Sequence, residues 1–182
     1  IRANIERYKI QCDYWIQDSL FIANNHAGMR HVQEEHRARK MLQYTSTLYD
    51  KTSIQYAIGT QHYVGAVRYP DTFGINSYFY CQVLRDILIN TGVKIYEKIP
   101  ASRIHTKGVD VSGGTVLAEH VVVCTDRFIP DLGVLQKEIY HVQTFLGISK
   151  SLSDADIRKI FPDGCVMVWD TDLIYNYFRV TG

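Results

Sequence analysis

Two groups of residues have types and spacing that could do chemistry. His31 and His36 bracket Glu34 and Glu35 in the run His-Val-Gln-Glu-Glu-His. The HExxH zinc motif needs its histidines four apart, on one face of a helix. Here they stand five apart, about 140° round a helix of 3.6 residues per turn, so one helix cannot aim both at one metal. A solvated, charged helix face is the better account. The second group is Tyr175, Tyr177 and Arg179 in Tyr-Asn-Tyr-Phe-Arg. In an extended strand these three share a face, with Asn176 and Phe178 on the other. Two phenols and a guanidinium could grip a carboxylate, because arginine supplies a bidentate fork. A strand with a mixed, exposed face competes with that reading, and spacing alone favours the exposed strand.

Other chemistries leave no trace. The seven histidines have no second metal-like spacing, and the chain has no Walker A loop, no GxSxG and no GxGxxG. A complete dinucleotide-binding half is therefore missing from it, and no residue stands out as a general acid or base. The only Gly-Gly pair, Gly113-Gly114, is expected to form a type I′ or II′ hairpin turn. Net charge is +1, which gives no basic footprint for nucleic acid. No stretch approaches the roughly 20 apolar residues of a membrane span. The four cysteines are far apart with no CxxC. Cys81 falls in an expected helix and Cys124 in an apolar run, so buried, reduced thiols are expected, in a cytoplasmic protein without a signal peptide.

The elements that would hold these residues follow from periodicity. With 46% apolar and 21% charged residues, the chain is globular in composition. Residues 1–10 carry apolar positions at helical spacing. Asp13 to Ala23 suggests a hairpin around Gln17-Asp18-Ser19, and Ala27 to Tyr44 a helix with Met29, Val32, Met41 and Leu42 inward. Residues 47–62 predict a turn of helix and a loop, and Tyr63–Tyr69 a strand. A helix comes next, capped by Asn76 or Ser77 and closed by Gly92.

Short strands are then expected at 93–96, 102–105, 109–111, 116–118 and 120–124. The run Val121-Val122-Val123-Cys124 suits a parallel strand buried on both faces. Ile139–Ile148 predicts a long strand, Ser153–Ile160 a short helix, and Cys165–Trp169 and Leu173–Val180 two more strands joined by Asp170-Thr171-Asp172. Parallel character in the middle, with antiparallel character on both sides, predicts a chain that leaves one domain, visits another and returns. Ile1 opens the chain without methionine and Gly182 closes it as a strand-like run ends, which predicts an excised segment of a longer protein.

Three motifs in order resemble the superfamily of FAD-dependent amino-acid oxidases that includes D-amino acid oxidase, glycine oxidase and sarcosine oxidase. The first is Gly92-Val-Lys-Ile-Tyr-Glu97 running on to Ala101 and Ile104, preceded by a helix. The second is Val116-Leu-Ala-Glu-His-Val121-Val-Val-Cys124-Thr125. The third is Val168-Trp-Asp-Thr-Asp-Leu-Ile-Tyr175-Asn-Tyr-Phe-Arg179. The resemblance implies an α+β fold in which an antiparallel-sheet substrate domain is interleaved with part of an FAD-binding α/β domain. The expected division is 1–70 and 136–182 for the substrate domain and 71–135 for the partial FAD domain.

By the same resemblance, Ala101 would offer its backbone to the adenine of FAD, and Thr125 and Asp126 would lie beside the cofactor. Tyr175 matches a substrate-contacting tyrosine, with Tyr177 and Arg179 beside it. The implied partner is a small amine or amino acid oxidised at its C–N bond, and the segment alone would be inactive. Asp126 stands where the family has glycine. That departure favours a competing reading, a non-catalytic binding or interaction module on the same scaffold; a third is an unrelated α+β domain.

Overall fold

The computed structural model describes residues 1–181. Its first elements are α1 (Arg2–Tyr8), β1 (Trp15–Ile16), β2 (Ser19–Ala23), α2 (His26–Met41) and β3 (Thr47–Asp50). Next come α3 (Ile54–Ala57), β4 (Gly65–Tyr69), β5 (Phe73–Gly74) and α4 (Ser77–Asn90). Strands β6 (Ala101–His105), β7 (Gly108–Val111) and β8 (Gly114–Leu117) and a 3-10 helix (Asp126–Leu132) come after it, then α5 (Asp154–Ile160), β9 (Met167–Asp170) and β10 (Tyr177–Phe178). The chain divides into two compact units: Ile1–Leu84 together with the residues from Ser149 onward, and Arg85–Ile148. The α+β class expected from the sequence is the class observed.

In the first unit a five-stranded sheet runs β10-β9-β2-β4-β3. Strand β2 is its centre because Ser-Leu-Phe-Ile-Ala carries side chains that can be buried on both faces. On one face Leu20, Ile22, Ala66 and Val168 pack with Ile54, Ile58, Phe161 and Val166. On the other, Ala23, Val67 and Tyr69 pack against Val32 of α2. Each buried Leu, Ile or Val contributes about 1.5–3 kcal/mol.

Helix α2 begins where the Asn25 side chain accepts from the Gly28 N–H at 2.9 Å. Its inward residues are Gly28 and Val32, with Arg39 half-buried below them. Met41 is 84% and Leu42 69% exposed, against expectation. At 100° per residue Met41 lies diametrically opposite Val32, and Leu42 already lies beyond the helix.

Arg68 ties three separate stretches of the first unit. Its Nε donates to Asp18 Oδ2 at 2.6 Å and its Nη1 to Asp163 Oδ2 at 2.5 Å. Asp163 is well exposed, so the pairs are partly hydrated. Replacing Arg68 with Met is expected to cost about 1–2 kcal/mol in urea unfolding at low salt. The deficit should shrink at high salt, which screens such pairs.

Segment 13–23 is not a hairpin. Strand β1 pairs with β5, while β2 pairs with β4 and β9. The Thr72 hydroxyl donates to the Gln17 carbonyl at 2.5 Å, and with Arg68 on Asp18 this makes 17–18 a corner between two sheets. Strand β3 was expected as loop. It forms because β4 offers it a free edge, pairing Thr47 with Arg68 through Asp50 with Gly65.

Helix α4 is capped as expected. The Phe79 N–H donates to Asn76 Oδ1 at 3.3 Å. At its other end Gly92 takes φ 91°, with Val93 N–H on the Leu88 carbonyl and Gly92 N–H on that of Ile89. This is a Schellman closure, which needs a left-handed residue.

The second unit holds a three-stranded antiparallel sheet, β6-β7-β8. A tight turn at 112–113 joins β7 to β8, with φ 93° at Gly113 and none positive at Ser112. That is a type II pattern rather than the primed turn expected, since types I′ and II′ need positive φ at the first central residue.

Val93–Tyr96, Val121–Cys124 and Ile139–Ile148 form no strands. Each has β-prone residues, but a strand needs a neighbour to take its N–H and C=O groups, and none of the described residues serves. The one parallel pair in the described residues is β2 with β9, in the first unit and not the middle. All four cysteines are free. Cys12 is buried, but Cys81, Cys124 and Cys165 are exposed, because the inward residue of α4 is Tyr80 and 121–124 has no covering layer.

Candidate functional site

Asp170 closes β9 and organises the loop beyond it. It is only 6% exposed. Its Oδ1 accepts from the backbone N–H groups of Asp172 and Asn176, both at 3.2 Å, and its Oδ2 from the Asn176 side-chain amide at 3.0 Å. Burial alone would push its carboxyl up, but the hydrogen bonds from Asn176, Asp172 and Asn24 outweigh it and hold the group below the usual range. Asp170 is thus an anion at neutral pH, and it folds Thr171–Asn176 into a tight loop that returns as β10.

That loop builds a cavity of about 530 Å³ lined by Phe21, Trp169, Asp170, Asp172, Tyr175 and Tyr177, with Thr171. Trp169 stacks on Phe21, centroids 5.7 Å apart, and on Tyr69 at 5.6 Å. The rings of Tyr175 and Tyr177 stand 6.0 Å apart. Two of the three expected substrate residues therefore meet.

Arg179 does not join them there. Its guanidinium lies 5.1 Å from the Trp15 ring, in a separate cavity of about 870 Å³ that also takes in Asp13, Tyr14, Asn76 and Cys165. Strand β10 spans only Tyr177–Phe178, so the alternation that would align 175, 177 and 179 is not sustained. Sequence reading missed Phe21, Trp169, Asp170 and Asp172. The signal available was the Asp-Thr-Asp at the end of an apolar strand, which it treated only as a joint.

In the second unit Ala101 starts β6 opposite Val111. The 3-10 helix that Asp126 opens packs against β6. Asp126 takes φ 48°, a left-handed conformation that glycine, the residue the resemblance implies here, adopts freely. Aspartate is among the few other residues that accept that conformation. Beside it the Thr125 hydroxyl is buried without a hydrogen-bond partner, the kind of orphan a nucleotide's ribose or adenine could satisfy. A diphosphate finds no such place. The positive-φ glycines of this unit sit at a helix end, in the β6–β8 hairpins and after the 3-10 helix, and none opens an α-helix whose N–H groups could cradle it. The described residues thus fit at most the adenosine end of FAD.

His36 Nδ1 lies 2.9 Å from the Ser46 hydroxyl. Burial, with Lys40 nearby, pushes its imidazole below the usual range. His31 is exposed, and no metal-holding cluster occurs among the described residues. No helix of those residues is long and apolar enough to cross a membrane.

Comparison with known proteins decides the family. The model for FAD dependent oxidoreductases matches residues 1–182. The chain belongs to that family. A probable oxidoreductase of Haemophilus influenzae, OrdL, is 28% identical over the whole chain, and gamma-glutamylputrescine oxidoreductase of Escherichia coli is 26% identical. The chain spans 44% and 43% of those relatives. Among solved structures, L-proline dehydrogenase of P. horikoshii superposes over 99% of this chain and 49% of its own, at 12% identity and TM-score 0.69. Glycine oxidase of Geobacillus kaustophilus covers 72% of this chain and 37% of its own, at 17% identity and TM-score 0.59. Membership brings FAD as the cofactor of the full-length proteins and redox chemistry as their class.

Proposed function

We propose that the protein carrying this chain oxidises the C–N bond of a small amine or amino acid with FAD. The observation that carries this reading is the family match along the whole chain. The names of relatives and neighbours agree with it, since they specify an acylated diamine, glycine and proline. On this reading Tyr175 and Tyr177 wall one part of the substrate region, and Arg179 beside Trp15 offers a separate carboxylate fork. Unit Arg85–Ile148 supplies part of the FAD-binding domain, with Ala101, Thr125 and Asp126 toward the adenosine end. The diphosphate and the flavin ring are held by residues outside this chain. Four free thiols fit a reducing, cytoplasmic setting.

Flavin absorbance tests this reading. A full-length protein containing this chain should stay yellow after desalting and lose its colour when an amine substrate is added without oxygen. The 182-residue chain alone should desalt colourless and oxidise no amine. A full-length protein that holds no flavin would overturn the oxidoreductase reading in favour of a non-catalytic module.

A further inference from the structure

We infer that the cavity bounded by Tyr175 and Tyr177 takes a positively charged alkylammonium group, not the carboxylate for which the Tyr-Asn-Tyr-Phe-Arg pattern suggests a fork. Four aromatic rings line it: Phe21, Trp169, Tyr175 and Tyr177. The faces of aromatic rings carry negative potential and attract cations, tryptophan most strongly. The lining also holds two carboxylates, Asp170 and Asp172, and no Lys, Arg or His. Asp170 is engaged in fixing the loop. Asp172 lends only its backbone N–H to that arrangement, so its exposed carboxylate is left to meet a ligand.

Arg179, the one guanidinium expected here, is at Trp15 instead. An anion would therefore face aromatic π-clouds and two like charges with no counter-ion. An ammonium on a short alkyl chain would find rings for its methylenes and charge for its head. Taking that ammonium to be one end of the substrate rests on the reading proposed above, whereas the binding itself needs no flavin.

The chain has two tryptophans, Trp15 and Trp169, so Trp15→Phe leaves the emission of Trp169 as a reporter inside the cavity. In that background n-butylammonium should change the emission saturably, about tenfold more tightly than 1-butanol or n-butyrate. Asp172→Asn, on the exposed loop, should weaken butylammonium about fivefold. Tyr177→Leu should weaken it about tenfold, while Tyr177→Phe, which keeps the ring, should leave it near the parent value. Circular dichroism confirms folding, and if Tyr177→Leu does not fold, the Asp172→Asn result decides. Equal affinity for butylammonium and butanol, no saturable change, or an unaltered Asp172→Asn variant would each overturn the cation site. Amine oxidation by a yellow full-length protein would then still stand, so the two readings fail separately.

Discussion

Replacing Asp170 with alanine is expected to lower folding stability by about 3 kcal/mol and to release the loop that carries Tyr175. Three of its hydrogen bonds come from groups within the six residues after it. Without the carboxylate, two backbone donors and an amide lose their acceptor in a half-buried place, and each such loss costs about 1–3 kcal/mol. Some of those donors recover by turning to water, which keeps the total well below the simple sum.

Asp170→Asn separates charge from shape. It keeps the size and one acceptor oxygen but places an amide donor against the Asn176 amide. The pH dependence has a definite sign. A carboxyl held below its unfolded pKa of about 3.9 contributes stability that is complete above that pKa. That contribution disappears as pH falls through the folded value. Urea midpoints of parent and Asp170→Asn should therefore differ by a constant amount above about pH 5 and converge in more acidic solution. A gap that stays constant into acid would mean that Asp170 is not the anion that holds the loop.

The second large effect is expected at Gly59. Its N–H donates to the Ile160 carbonyl at 2.8 Å, drawing the end of α3 against the end of α5. A Cβ there would run into the backbone carbonyl of Lys159, which cannot rotate aside as a side-chain tip can. Gly59→Ala should cost about 2–3 kcal/mol, at the upper end of ordinary overpacking. Gly147→Ala is the matched control. Nothing lies within 4 Å of a Cβ at that position and its φ is ordinary, so alanine should be neutral or stabilise by a few tenths of a kcal/mol through the unfolded chain. Thermal melts of the two variants check the contrast.

Those two glycines mark the limit of what the sequence shows. Caps and helix ends were legible because they are local: Asn76, Gly92 and Ser153 each act within a few residues of themselves. The inward stripe of α2 was legible at Val32 and lost at Met41, since apolar residues near a helix end carry no label for the side they face. Strand pairing was the least legible. Ile139–Ile148 has the composition of a strand and stays unpaired, and β1 has its partner in the distant β5 rather than the adjacent β2.

At the candidate site the sequence pointed to Tyr175 and Tyr177, whose rings the structure brings together. It could not show that Arg179 would leave them, because that depends on a strand only two residues long. Asp170 was invisible as an organiser, since its role exists only once the chain has turned back on it.

The parallel pairing of β2 with β9 also sets a timetable. The central strand of the sheet is synthesised well before its partner on one side, Met167–Asp170. At roughly 5–20 residues per second, the intervening stretch keeps the ribosome busy for on the order of ten seconds. During that time β2 can pair with β4 but presents an open edge of unsatisfied amides and apolar side chains, the exposure that favours mispairing between nascent chains. That edge stays open to mispairing until β9 arrives.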